Sequence, residues 1–216
     1  MLGQTIVRAV GALFLLALLG GLPATAQTTL TAFGGYAGSG TGLKRSAAGA
    51  SAGPADQALR LDAGTAASFS VDWTLDTARQ LQLLISQQRS ALDTQGVASA
   101  GAPQRIALQL IHVHLGGTNF LDARVGHGVY VVGGLGFTRF SPGVAGFVAE
   151  LRASMNVGVG YAWPLSPWLG LRAELRGFAT LIDSSGSFLC SGGCAVSIEG
   201  DTLTQPHALL GLAFSF

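Results

Sequence analysis

The chain has 216 residues, 11% of them charged and 49% hydrophobic, with a formal net charge of +1. Soluble domains carry about 25% charged residues, so this composition, with a mean hydropathy of +0.46, is that of a membrane protein. The balanced charge excludes both the basic footprint of a nucleic-acid binder and an acidic tail, and no nucleic acid is expected as a partner.

At the N-terminus, Arg8 precedes an apolar stretch from Val10 to Leu22, and Ala24-Thr25-Ala26 supplies an A-x-A site. The pattern is that of a secretory signal peptide over 1–26, followed by a single barrel domain over 27–216. An uncleaved anchor is the rival reading, but the apolar stretch falls short of the roughly 20 residues of a spanning helix, and Pro23 follows directly. No later segment is a run of roughly 18 apolar residues, which excludes helical spans and leaves the closed β-barrel as the structure that satisfies every backbone group in lipid. The expected location is the bacterial outer membrane.

Period-two patterning predicts eight strands: Leu30 to Ala37, Leu59 to Leu75, Arg79 to Leu92, Arg105 to Thr118, Gly128 to Phe140, Val148 to Trp163, Trp168 to Asp183 and Gln205 to Phe216. The fold class is therefore all-β, an eight-stranded antiparallel up-and-down transmembrane β-barrel. Most of the strands exceed the roughly 9 to 11 residues that a tilted span requires.

Along the chain, Ala67, Phe69, Val71 and Trp73 alternate with Ser68, Ser70, Asp72 and Thr74. In "RIALQLIHVHLGG" the apolar residues switch parity around Leu110 and Ile111, which predicts a β-bulge. The clearest alternation sets Leu151, Ala153, Met155, Val157, Val159, Tyr161 and Trp163 toward lipid and Glu150, Arg152, Ser154, Asn156, Gly158, Gly160 and Ala162 inward. In the last strand Ala208, Leu210, Leu212, Phe214 and Phe216 share an apolar face opposite His207, Leu209, Gly211, Ala213 and Ser215.

The connections alternate imperfectly in length. "LDTAR" and "PLSPW" are tight, as periplasmic turns are, whereas "GSGTGLKRSAAGASAGPADQA" and "SSGSFLCSGGCAVSIEGDTLT" are long, as external loops are. "NFLDARVGH" is a middling turn, and "SPGVAG" is short for an external loop. Interfacial aromatics prefer the headgroup level. With the chain starting on the periplasmic side, Trp73, Trp163, Trp168, Phe214 and Phe216 all fall at periplasmic strand ends and form an aromatic girdle there.

The segments "QLQLLISQQRS", "YVVGGLGFTRFSP", "LGLRAELRGFATLIDSSGSFLCSGGC" and "GLAFSF" resemble a family of small proteobacterial outer membrane β-barrel domain proteins, distantly similar to OmpA, OmpX and OmpW barrels. The resemblance spans the chain beyond the leader and implies fold and location, with no activity or functional residues to carry over. The terminal alternation ending in phenylalanine is similar to the signal that such relatives present to the outer-membrane barrel assembly machinery. The partners implied are that machinery and the outer-membrane lipids, with a monomer favoured.

Arg172, Glu174 and Arg176 share one strand face, opposite Leu171, Ala173 and Leu175. An Arg at mid-membrane on the lipid side costs on the order of 2 to 4 kcal/mol, so that face belongs to the lumen. Asp72, Glu150 and Arg152 are candidates to join a luminal charge network. The network is either a structural plug, since eight strands enclose just enough room for side chains, or a gate in a narrow conduit.

Cys190 and Cys194 lie close together in the last long loop, where an oxidising envelope favours a disulfide, and two thiols alone are a weak zinc site. His112 and His114 share a strand face, as a metal-chelating pair would, but "HVHLGGTNF" holds no further ligand, so they read as polar lumen or rim residues. Gly133 to Gly136 lack phosphate-loop spacing and read as close backbone packing. No metal or cofactor is expected.

The function expected is that of a non-enzymatic integral barrel, structural or a restricted conduit for small or apolar molecules, and not a general porin. One alternative is a lipid-modifying barrel enzyme. It would need a nucleophile and base near the outer leaflet, whereas no H-x-S motif is present and the paired histidines read as lying toward the periplasmic end of their strand. The other is a soluble secreted ligand-binding barrel, whose outer face would have to be polar.

Overall fold

The computed structural model describes residues 27–46, 59–93, 105–142, 149–182, 197–199 and 202–216. Its strands are β1 (Thr28–Ala37), β2 (Gly40–Ser46), β3 (Leu59–Leu61), β4 (Gly64–Thr74), β5 (Arg79–Asp93), β6 (Arg105–Phe120), β7 (Gly128–Pro142), β8 (Glu150–Pro164), β9 (Leu169–Leu181), β10 (Ser197–Glu199) and β11 (Thr202–Ser215). β2 prolongs β1, β3 leads into β4 and β10 into β11, so these strands form eight staves, each antiparallel to its neighbours. Segments read in sequence as loop, Gly40–Ser46 and Ser197–Glu199, in fact pair with each other beyond the main wall.

The first and last staves close the cylinder. β1 pairs with β11 from Thr29↔Ser215 to Ala37↔His207, and Thr28 and Phe216 exchange two backbone hydrogen bonds of 3.0 Å. Closure leaves the main wall without a free edge, which is how a sheet survives where no water can satisfy its amides.

The polarity of the wall is inverted relative to a soluble protein. On β8, Val157 and Leu151 are 68% and 64% exposed while Ser154 and Asn156 are 7% and 5% exposed. Leu175 on β9, Leu135 on β7, Leu115 on β6 and Leu210 on β11 likewise face outward. An apolar exterior this continuous is stable only against lipid.

β6 corrects the sequence reading. It pairs with β5 without a shift from Arg79↔Asn119 to Asp93↔Arg105, and with β7 from Leu108↔Pro142 to Phe120↔Tyr130, so the expected bulge is absent. The parity change has another cause: the lumen is apolar at this height. Leu108 and Leu110 face inward and are buried, with Phe140 beside Leu110 on the adjoining strand and Leu203 and Leu61 buried on β11 and β3.

The short turns sit together at one end. Between β4 and β5, Asp76 Oδ1 accepts hydrogen bonds from the amides of Ala78 (2.9 Å) and Arg79 (2.8 Å), and its Oδ2 accepts one from Arg79 Nε (2.7 Å). The Ala78 amide, followed by the Arg79 side chain, holds this solvent-exposed carboxyl below its ordinary range. A lowered folded-state pKa contributes stability above the unfolded value and loses it as pH falls through the folded one. The Ala78 and Arg79 amide resonances are therefore expected to move together on acidification below the usual carboxylate range. Asp76→Asn, which retains Oδ1, should abolish that titration.

The turn between β6 and β7 is longer and uses left-handed backbone at Ala123, Gly126 and Gly128 (φ 52°, 80° and 71°). A side chain at Gly128 would run into the Asp122 carboxylate. Trp73, Trp163, Trp168, Phe214 and Phe216 all lie at this short-turn end, with Trp168 and Phe214 rings 6.4 Å apart and the Tyr161 ring tilted against Trp163 at 4.4 Å.

Candidate functional site

Inward-facing residues fill the lumen in layers. The layer nearer the short turns is ionic and is built on β9, whose period of two turns Arg172, Glu174 and Arg176 toward the axis. Arg172 donates from Nη1 to Asp72 Oδ2 and from Nη2 to Gln80 Oε1, both at 3.1 Å. Its guanidinium also lies 5.8 and 5.6 Å from the ring centres of Phe120 and Tyr130. Arg176 donates from Nη2 (2.6 Å) and Nε (3.1 Å) to Glu174 Oε2, and from Nη1 to Asn156 Oδ1 (2.8 Å).

Gln82 links the two ion pairs. Its Oε1 accepts from Arg176 at 3.1 and 3.2 Å, while its Nε2 donates to Asp72 Oδ1 at 2.7 Å. Tyr130 donates to the remaining Glu174 oxygen at 2.8 Å, and Ser70 donates to Asp72 Oδ2 at 2.8 Å. The side chains of both ion pairs are 0–2% exposed. Two cations thus meet two carboxylates, and apart from Arg172 Nε, which has no partner, their polar atoms are hydrogen-bonded, the condition under which buried charge is tolerated.

The links cross the lumen. β5 and β9 stand on opposite sides of the eight-stave cylinder, so the Gln82–Arg176 contact spans its diameter. On the short-turn side of this layer a mouth of about 300 Å³ opens, bounded by Gln27, Thr29, Arg124, His127 and Ser166 and ending on Arg172.

Further toward the long connections lies a layer of rings that sequence reasoning missed. Phe178 of β9 packs against His112 (4.3 Å between ring centres), His207 (4.5 Å) and His114 (5.5 Å), and all four side chains are buried. Each imidazole has one nitrogen bonded: His112 Nδ1 with Thr138 Oγ1 (2.8 Å), His114 Nε2 with Ser154 Oγ (2.7 Å), and His207 Nε2 with Gln88 Oε1 (3.1 Å). Strand parity was the available signal, because Phe178 has the parity of Arg176 and His207 lies opposite it in register.

Small residues make room for these large ones. A side chain at Gly160 would strike the Tyr130 ring, which reaches over it toward Glu174. Gly160→Ala is expected to cost about 1–3 kcal/mol by overpacking the lumen, measured by urea unfolding in detergent micelles.

The structure separates the residues that the sequence grouped. Asp72 joins Arg172, Glu174 and Arg176, but Glu150 and Arg152 form a separate, partly buried pair at 3.0 Å toward the long connections. They lie apart because β8 places them at its far end, with Ser154 and Asn156 intervening on the same face. His112 and His114 sit in mid-barrel rather than toward the periplasmic end, and among the described residues no cluster suits a metal. Cys190 and Cys194, and residues 1–26, where a leader is expected, lie outside the described residues.

No protein-family model matches the chain, and a search of curated proteins finds no match. Solved structures do resemble it. Neisserial surface protein A aligns over 88% of this chain and 97% of its own at 13% identity, with a TM-score of 0.56. The outer membrane protein AlkL, determined in lipid bilayers, aligns over 91% and 93% at 14% identity and TM-score 0.60. OprG from Pseudomonas aeruginosa aligns over 87% and 95% at 9% identity and TM-score 0.50. At these identities the likeness concerns architecture, and the chain has the closed eight-stranded fold of small outer-membrane barrels.

Proposed function

We propose that the chain is an integral outer-membrane barrel whose lumen is closed at rest, serving as a structural element or a restricted path for small or apolar molecules and not as a general porin. The observation that carries this reading is the diametric hydrogen bonding of Arg176 to Gln82, with Arg172 tied to Asp72 beside it. Aqueous porin channels belong to barrels of roughly 16 to 18 strands, and eight strands leave an interior that side chains fill. The apolar wall takes outer-membrane lipids as its solvent, and β11 with its Phe214, followed by Phe216, is the segment offered to the barrel assembly machinery.

An enzymatic role is not part of the proposal. The hydrogen bond between His114 and Ser154 has the form of a base and nucleophile, but Ser154 is 7% and His114 1% exposed. Both point into a packed lumen and away from the lipid wall, so no acyl chain reaches them.

Reconstitution into planar bilayers at matched insertion tests the reading. No large steady conductance is expected at neutral pH, and one would overturn the closed lumen. Fractionation supplies the second arm: the protein should be recovered from outer membranes only with detergent, and recovery in a soluble fraction would overturn the membrane assignment.

A further inference from the structure

The ring layer has a property that a structural plug does not require. A neutral imidazole offers one donor and one acceptor, and each of the three uses a single nitrogen. His112 Nε2, His114 Nδ1 and His207 Nδ1 are buried without a partner in the described structure, and so are the Gln88 amide nitrogen and both the nitrogen and the oxygen of the Gln205 amide. For His207 the protonation state follows from its neighbour. Gln88 Oε1 only accepts, so Nε2 carries the hydrogen and Nδ1 is left as a bare lone pair, the position a proton takes.

The nearest cation disfavours a closed, protonated state, and the carboxylates of the neighbouring layers are already paired. His207 lies opposite Arg176 in register, and Arg176 is the cation nearest the rings. Its partner Glu174 is already occupied by Arg176 and Tyr130. β4 contributes Asp72, held by Arg172 in the ionic layer, and β8 contributes the Glu150–Arg152 pair toward the long connections. The described inward positions of β1, β5 and β11 add no further titratable group beyond His207. Among the described residues no carboxylate contacts any of the three rings.

With ring centres 5.9 Å apart for His112 and His207 and 6.0 Å for His112 and His114, imidazolium charges would repel one another and Arg176. Three added N–H groups would also need acceptors, and the buried side-chain oxygens without a partner among the described residues are two, Gln205 Oε1 and Thr31 Oγ1. His112 and His207 belong to opposite staves, so loss of their shared contact with Phe178 breaks the layer across its full width.

We infer that the ring layer of His112, His114, His207 and Phe178 is an acid-released plug, packed and closed while the imidazoles are neutral, and open and hydrated when they are protonated. The inference rests on the closed lumen proposed above and adds proton binding as the signal that opens it. Histidine is the side chain that ordinarily titrates nearest neutrality, and because the packed layer disfavours its charged form, opening belongs to strong acidification below the ordinary imidazole range.

The test is planar-bilayer conductance of the full barrel at about pH 7.5 and at steps down to about pH 3, extending well below the ordinary imidazole range. Wild type should be silent at the upper value and conduct at the lower, rising by more than the roughly tenfold per pH unit that coupling to a single proton permits. Combined His112→Gln, His114→Gln and His207→Gln should lose the rise, with heat-resistant electrophoretic migration reporting that the barrel has folded. If that variant does not fold, His207→Phe retains a ring while removing one proton site, and its conductance should climb less steeply than wild type. Steady current already at about pH 7.5 would overturn the closed lumen itself. Silence throughout, an equal rise in the folded triple variant, or an unchanged slope in His207→Phe would overturn the plug alone.

Discussion

Glu174→Ala is expected to destabilise the barrel by about 3–5 kcal/mol, because it strips a buried cation of its partner. Glu174 takes two hydrogen bonds from Arg176 and one from Tyr130, and alanine leaves all of them unanswered in a site without bulk water. The measurement is the urea midpoint of the folded form in micelles. Glu174→Gln keeps an acceptor for Tyr130 and should lose less. Exchanging the pair together, Glu174→Leu with Arg176→Met, should cost far less than either truncation, since the desolvation penalty disappears along with the attraction. An equal loss in the paired variant would mean that the ion pair itself, not the orphaned charge, sets the effect. In bilayers Glu174→Ala should also admit current where wild type admits none, as the Arg176 side chain loses the carboxylate beside it.

Val157→Arg is expected to cost about 2–4 kcal/mol, the value for a cation on the lipid face near the bilayer midplane. Val157 is 68% exposed at the centre of β8, and on a soluble protein such a substitution would cost almost nothing. The sign of the result therefore reports the medium around the barrel. Unfolding in lipid vesicles should show the loss, and Leu165→Arg, in the short turn between β8 and β9, should show little, because the penalty falls to about 0–1 kcal/mol near the interface. Equal tolerance at both positions would overturn the lipid-facing assignment.

β8 was legible from sequence because its two faces meet chemically opposite surroundings, lipid outside Val157 and polar side chains inside Asn156. β6 was not, because its inner face changes character along the strand, from Leu108 and Leu110 in an apolar layer to His112 and His114 among rings. A pattern that tests only for apolar against polar must invent a bulge to absorb that change. The ionic layer was half legible: Arg172, Glu174 and Arg176 announce themselves on one strand. Gln80, Gln82, Tyr130 and Asn156 complete the network from β5, β7 and β8, and which of them meet depends on stagger between distant staves. Glu150 and Arg152 were assigned to the network by parity alone, which gives the direction a side chain faces but not its height along the axis.

The seam between β1 and β11 has a kinetic consequence. Thr29 and Ser215 are 186 positions apart, yet their side chains share a 3.0 Å hydrogen bond and their strands share a ladder. Pairings of such long range are slow to find and reward the chain only after the intervening segment has been ordered. The other wall contacts join consecutive hairpins, so they can accumulate as an open, curling sheet with two unsatisfied borders. Such an intermediate is prone to pair with another molecule until its own ends meet. Its lifetime before the seam zips is thus the interval in which escort by another protein matters most to this chain.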